Sequence, residues 1–237
     1  MKKIVLLVVC MVFLMAGMAR ADSLELVSGG TSITIYDPNS AALVPTVAGP
    51  YTVNFGPSSS NYQSYQAFCV DPAFINWNFW YNNYTMIPVP TTSGLPSAAY
   101  REAAYIVANY ASTPNADGAA AQAAVWEVVF QQLSGGTVSP AIVTNSNTLT
   151  NPPSVFWVDS GLTAPEITAA DTLVANALAN GSNFDASGYA LLVSPDATNY
   201  YGVGSQDFLV KVPESGTILL LGFGLLALFG VARKRVK

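Results

Sequence analysis

The chain contains no histidine, and between residues 22 and 210 it contains no lysine. Without histidine it lacks the usual general base for a serine or cysteine nucleophile and the commonest protein ligand of zinc. The sequence also has no glycine-rich phosphate-binding pattern and no acidic calcium-loop pattern. These absences argue against ordinary hydrolase, nucleotide-binding and zinc-dependent chemistry. We therefore expect neither an enzyme activity nor a cofactor or metal site.

Charge is scarce and mostly of one sign. Only 10% of the residues are charged. From residue 22 to 212, thirteen acidic residues stand against Arg101 and Lys211, a net charge of about −11. Such a surface repels nucleic acid and anionic lipid headgroups. We expect no nucleic-acid partner.

The first residues have the pattern of an export signal. Lys2 and Lys3 precede an apolar run at residues 4–15, and Ala19-Arg20-Ala21 supplies the small residues that signal peptidase requires. We expect residues 1–21 to be a signal peptide that is cleaved after Ala21. Cys10 leaves with this segment, so Cys69 becomes the sole cysteine and no intramolecular disulfide can form.

The last residues have the pattern of a membrane segment. Residues 215–232 carry no ionisable group, and a helix of 18 residues, at ~1.5 Å per residue, only just crosses a ~30 Å hydrocarbon layer. The basic cluster that follows is typical of the cytoplasmic side, so the preceding domain is expected to face outward. The cluster consists of Arg233, Lys234, Arg235 and Lys237.

This tail resembles the PEP-CTERM sorting signal of Gram-negative bacteria. Pro213 and Glu214 match its short motif, whereas Ser215 stands in place of the second proline. The resemblance implies that residues 213–237 are an anchor recognised and processed by an exosortase after transient anchoring in the inner membrane. It also implies a location at the outer cell surface or in the extracellular matrix, with a role in adhesion or biofilm. The alternative is an ordinary C-terminal membrane anchor.

Residues 22–212 are expected to form one α+β domain, a mainly antiparallel sheet or barrel-like domain with a helical insertion. Helical periodicity predicts helices at 98–111, 117–133 and 163–181, the last with a capping box of Thr163 and Glu166. The aromatic stretch 74–84 is interpreted as an irregular loop. Strands are predicted near Leu24 and at residues 31–36, 51–55, 65–70, 189–193 and 207–212.

Two residues suggest a reaction. On the second helix Glu127 and Gln131 define a polar side, but Gln122 falls on the apolar face. Burying its amide without partners costs about 1–3 kcal/mol. Attack by the Cys69 thiolate on the Gln122 carboxamide would remove the amide nitrogen as ammonia and leave an internal thioester.

The same residues resemble the thioester domains of bacterial surface adhesins. Those domains carry a hydrophobic-Cys-hydrophobic strand, matched by Phe68-Cys69-Val70, and a helix with Gln-x-Ala-Ile-Trp, matched by residues 122–126. Val125 replaces the isoleucine, and the resemblance spans about Gln66 to Leu133. It implies a Cys69–Gln122 thioester supported by Phe68, Val125 and Trp126. It further implies single-use acylation of a surface amine or hydroxyl, with polysaccharide among the candidate targets.

Other functions remain open. Cys69 is equally compatible with a buried free thiol in a passive matrix protein, and Gln122 with a hydrogen-bonded core amide. A glycosidase that uses two of the scattered carboxylates is the weakest alternative. Glu127, Asp71 and Arg101 are interpreted as solvated or capping residues. A non-covalent glycan-binding module would use the rings of Trp77, Trp80, Tyr81 and Tyr84.

Overall fold

The computed structural model describes residues 21–37, 42–70, 80–89, 97–133, 157–195 and 206–212. Within these ranges the chain forms seven strands and three α-helices. The strands are β1 (Ala21–Asp37), β2 (Ala42–Ser58), β3 (Asn61–Cys69), β4 (Trp80–Pro88), β5 (Trp157–Ser160), β6 (Tyr189–Val193) and β7 (Phe208–Lys211). The helices are α1 (Ser97–Asn109), α2 (Gly118–Leu133) and α3 (Ala164–Asn180).

The strands form one antiparallel sheet that closes on itself. Its order is β2-β3-β7-β6-β4-β1, and β1 pairs again with β2, so six strands make a ring. Strand β5 pairs with the second half of β1, at residues 34–36. The predicted α+β class with a mainly antiparallel sheet is confirmed for the described residues.

Strand β1 joins two runs that the sequence predicts as separate strands. It pairs with β2 along its length, with irregularities between Leu26 and Ser28 and between Gly29 and Thr31. Gly29 and Gly30 have φ values of 132° and 81°, which glycine adopts without steric cost. The irregular centre lets the first half of β1 pair with β4 and the second half with β5.

Helix α2 is the centre of the helical layer. It contacts α1 and α3 on one side and β2 and β3 on the other. Every side chain described on this helix from Ala119 to Val129 is buried. A helix that is enclosed on all sides has no solvated face, so the predicted polar side is wrong at Glu127, which is fully buried.

Helix α3 begins and ends where the sequence indicates. The capping box forms because the Glu166 backbone N–H donates to the Thr163 side chain, and the Thr163 backbone N–H donates to the Glu166 carboxylate at 2.5 Å. The Thr163 hydroxyl also donates to that carboxylate at 2.6 Å. Gly181 is the C-cap. A Cβ on Gly181 would lie 2.7 Å from the Cα of Glu102, and Glu102 is itself buried.

Of the other sequence-based predictions, one is partly wrong and two lie mostly outside the described residues. The predicted irregular loop at 74–84 is wrong at residues 80–84, which lie in β4, whereas residues 74–79 lie outside the described residues. Residues 1–20 of the predicted signal peptide and the predicted sorting signal at 213–237 also lie outside them, whereas Ala21, the last residue of the predicted signal peptide, is the first residue of β1. Among the residues that the structure describes, none of the helices is both long enough and apolar enough to span a membrane.

Helix α2 starts in close contact with strand β2, and this contact generates a prediction. A Cβ on Gly118 would lie 2.0 Å from Cδ of Pro50, so Gly118→Ala forces the helix start away from the sheet. We expect Gly118→Ala to lower the free energy of unfolding by roughly 1–3 kcal/mol, as overpacking does, measured by urea denaturation. The matched control is Gly188→Ala, whose Cβ meets nothing closer than 4.0 Å. Equal stability of the two variants would contradict the prediction.

Candidate functional site

The candidate site lies at the end of β3, past the last residue of β3 that pairs with β2. The last β2–β3 pair in this direction is Tyr51 with Ala67, but β3 continues to Cys69, which lies opposite Phe208 of β7. On the β7 side the next residue is held by a hydrogen bond from the Val70 N–H to the Asp207 carbonyl at 3.0 Å. The N–H and C=O groups of successive strand residues alternate in direction. Those of Cys69 therefore point to the side that β2 has left.

The side chain of Gln122 occupies that side. The Cys69 N–H donates to Gln122 Oε1 at 2.9 Å, and Gln122 Nε2 donates to the Cys69 carbonyl at 2.6 Å. The carboxamide thus pairs with Cys69 as a neighbouring strand would. Both residues have no exposed surface. Cys69 and Gln122 are 53 residues apart in sequence and in direct contact in the fold.

The start of α2 fixes the position of Gln122. Asp117 caps the helix, since its carboxylate accepts from the Ala120 N–H at 2.8 Å. The first helical residue, Gly118, packs against Pro50, and alanines at 119–121 keep the next turn narrow. The first turn of α2, which packs on β2, therefore places Gln122 level with Cys69.

The sulfur atom of Cys69 has a different neighbour. Gln206 Nε2 donates a hydrogen bond to Cys69 Sγ. Gln206 is only 5% exposed, and its backbone carbonyl accepts from the Tyr84 hydroxyl at 2.7 Å. Two carboxamides thus surround Cys69, one on its backbone and one on its sulfur.

Aromatic rings enclose this region. The Tyr51 and Phe208 rings meet edge to face with centroids 6.0 Å apart. The Tyr51 hydroxyl donates to the Val47 carbonyl. Burial, and then the nearby charge that Cys69 can carry, raise the pKa of Tyr51 well above its usual range. Tyr51 is therefore neutral at any physiological pH.

The residues predicted to support the pair all lie in the core. Phe68 precedes Cys69 and packs edge to face on Tyr110 at 5.5 Å. Val125 and Trp126 follow Gln122 by three and four residues and are buried. Arg101 caps a carbonyl, since its Nε donates to the Ser182 carbonyl at 2.8 Å. Asp71 lies outside the described residues.

The aromatic residues suggested for glycan stacking do not form one exposed set. Tyr84 is fully buried and donates to Gln206, so it is not available to a sugar. Trp80 and Tyr81 are half-buried, and Trp80 pairs with the exposed Tyr62 at 5.6 Å between centroids. Trp77 lies outside the described residues.

The sequence reasoning did not identify Gln206. It lies 137 residues from Cys69 in sequence and reaches the sulfur because β7 pairs with β3. A glutamine before a short apolar run is unremarkable in sequence, so no motif signals this contact. Only the strand order reveals it.

Asp207 gives this edge of the site a dependence on pH. Burial raises the pKa of its carboxyl from 3.8 to about 6, although a hydrogen bond from the Ser194 N–H, at 2.7 Å, opposes the shift. The folded state therefore binds this proton more tightly than the unfolded chain does. The resulting stability is complete below pH 3.8 and is lost as the pH rises through about 6.

We predict that Asp207→Asn removes this dependence. Relative to the variant, the wild type should lose roughly 2 kcal/mol of unfolding free energy between about pH 4 and pH 6.5, as measured by urea denaturation across that range. Asp185→Asn is the control, because Asp185 is fully exposed and its removal should leave the Asp207 effect intact. Parallel pH profiles for wild type and Asp207→Asn would contradict the prediction.

The chain was also compared with models of protein families, with curated proteins and with solved structures, and none of the three comparisons finds a match. The chemistry of Cys69 and its two carboxamide neighbours is therefore the basis on which we infer a function.

Proposed function

We propose that this is an exported surface protein that attaches covalently to a partner through an internal thioester between Cys69 and Gln122. The observation that carries the proposal is the double hydrogen bond between the Gln122 carboxamide and the backbone of Cys69 itself. Cys69 thus carries the nucleophilic sulfur, and its backbone also binds the carboxamide that the sulfur would attack.

The geometry keeps the carboxamide of Gln122 close to Cys69. Gln122 Oε1 lies 2.9 Å from the Cys69 nitrogen, and a C=O bond adds ~1.2 Å, so the carboxamide carbon lies within ~4 Å of that nitrogen. The thiol and the carbon that it would attack therefore belong to two residues in direct contact.

The hydrogen bonds suit the chemistry of thioester formation. The thiolate attacks the carboxamide carbon, and negative charge develops on Oε1, where the Cys69 N–H already donates. Collapse of this intermediate breaks the C–N bond, and the nitrogen leaves as ammonia with the proton that the thiol gave up. The bond from the Cys69 N–H remains on the thioester carbonyl and polarises it.

Burial supports a stable but reactive bond. Neither residue has exposed surface, so bulk water is kept from the carbonyl and hydrolysis is slowed. Capture is the reverse type of step: an amine or hydroxyl of the partner attacks the carbonyl, its acyl bond to Gln122 forms, and the sulfur leaves and takes the proton. Each molecule reacts once, so this is not turnover.

The distribution of lysine supports the same function. No lysine occurs from residue 22 to 210, and Lys211 is exposed at the end of β7. A buried acyl group in such a domain meets almost no internal amine. The thioester would persist until an external nucleophile enters.

The proposed setting follows from the two termini. Signal peptidase would cleave after Ala21, and an exosortase would process the tail at 213–237 after transient anchoring in the inner membrane of a Gram-negative bacterium. The partner would then be an amine or a hydroxyl at the cell surface or in the matrix, polysaccharide included. Adhesion or biofilm formation is the corresponding role.

A second function is favoured by one observation. The two hydrogen bonds of Gln122 also satisfy the backbone of Cys69 where β2 ends, which is a sufficient structural reason for a buried glutamine. In that case the protein is a passive matrix component with a buried free thiol. Both functions share the fold but differ in covalent structure.

Intact mass distinguishes them. We expect the purified wild-type protein to be ~17 Da lighter than its sequence predicts, because ammonia is lost, and the deficit should vanish in Cys69→Ala and in Gln122→Ala. Gln66→Ala is the matched control, since Gln66 is an exposed glutamine on β3, and it should retain the deficit. A full sequence mass for the wild type would favour the passive protein.

Methylamine should open the bond and release the thiol. In a Cys10→Ser background, we expect one methylamine per chain, with a gain of ~31 Da over the thioester form, and one new thiol that reacts with a maleimide. Because the pair is buried, a bulky amine should react more slowly than methylamine. The control is Gln122→Ala, in which methylamine should add nothing. Incorporation that is equal in the control would place the reaction elsewhere in the chain.

A further inference from the structure

Gln206 is a buried polar residue whose contact with the site is not accounted for by thioester formation. Its Nε2 donates to Cys69 Sγ, and it is only 5% exposed. Its backbone is held on one side by the hydroxyl of Tyr84, which is itself fully buried. Its neighbour Asp207 is tied to β3 through the bond from the Val70 N–H. The donor is thus preorganised on the sulfur.

We propose that Gln206 stabilises the thiolate of Cys69, as the attacking nucleophile when the thioester forms and as the leaving group when it is opened. The inference deepens the proposed function and rests on it. A carboxamide can present either its N–H or its C=O end. The structure presents the N–H end, which is the one that complements a sulfur that carries negative charge and no proton.

The effect follows from where charge appears. When an amine attacks the thioester carbonyl, the C–S bond breaks and its electron pair stays on Sγ until the proton of the amine arrives. A hydrogen bond to a charged group is stronger than one between neutral groups. Gln206 therefore stabilises the thiolate more than the thiol or the thioester, which is the condition for a faster reaction.

The ionisable groups near the sulfur, Asp207 and Tyr51, do not supply this stabilisation. Asp207 follows Gln206 and accepts from the Ser194 N–H, and its carboxylate would repel a thiolate. Tyr51 donates to the Val47 carbonyl and stays neutral. Among the residues that the structure describes, Gln206 is the side-chain N–H donor that contacts Sγ.

The test uses the full-length chain in a Cys10→Ser, Gln122→Ala background, where Cys69 stays a thiol whether or not a thioester ever forms. The measurement is the pH at which Cys69 is half reactive toward a small alkylating reagent. Gln206→Met keeps the length of the side chain and removes the donor. We expect it to raise this midpoint by about one pH unit or more, which corresponds to roughly tenfold less thiolate at a given pH. Gln206→Glu should raise it further.

With Gln122 restored, the same substitution should slow the opening of the thioester by methylamine by roughly 10-fold to 100-fold, with the final yield unchanged. Gln66→Met is the matched control and should leave both values at wild type. Gln206→Asn, which keeps the amide on a shorter side chain, replaces Gln206→Met in both measurements if circular dichroism shows that Gln206→Met does not fold. The half-reactivity midpoint should also move by the same amount in an Asp207→Asn background.

Two results would overturn the proposal. One is an unchanged alkylation midpoint in folded Gln206→Met. The other is a Cys69–Gln206 crosslink in fragment mass spectra, which would make Gln206 the acyl donor. A missing mass deficit with a shifted midpoint would instead refute the thioester and retain the contact between Gln206 and the thiolate.

Discussion

The structure around Cys69 depends on a carboxamide that takes the place of a strand. Where β2 stops pairing with β3, the N–H and C=O of Cys69 are buried and need partners, because an unsatisfied backbone group in the core costs a few kcal/mol. Gln122 supplies both partners. The requirement to satisfy one strand end therefore places the Gln122 carboxamide on the backbone of Cys69.

The helical layer positions that carboxamide. Helix α2 is enclosed by α1, α3 and the sheet, and its first turns are rich in alanine, so the backbone can approach β2 closely. An enclosed helix also carries its polar residues into the core, which is why both Gln122 and Glu127 are fully buried. The same packing that positions the site shields it from water. The long life of the proposed thioester and the restricted access to it would thus have one physical origin.

Local features were predictable from the sequence where the interactions are local. The capping box of α3 spans four residues, and Asp117 caps α2 through a neighbour three residues away. The strands predicted at 189–193 and 207–212 lie within a residue or so of the predicted bounds. The failures have a common cause: the aromatic residues 80–84 and the polar Glu127 are placed by contacts with distant segments, which periodicity within one segment does not encode.

The sequence by itself determined the class of the domain, its helix caps, the scarcity of amines within it and the identity of Cys69 and Gln122 as a candidate pair. The tertiary structure alone decided how that pair meets, through a strand end and not simply through two facing side chains, and it alone brought Gln206 to the sulfur. The physical reason is strand order. Sequential β-strands are specified by nearby turns, but the pairing of β7 with β3 is what brings Gln206 to Cys69 across 137 positions of sequence, and only the closed sheet as a whole selects it.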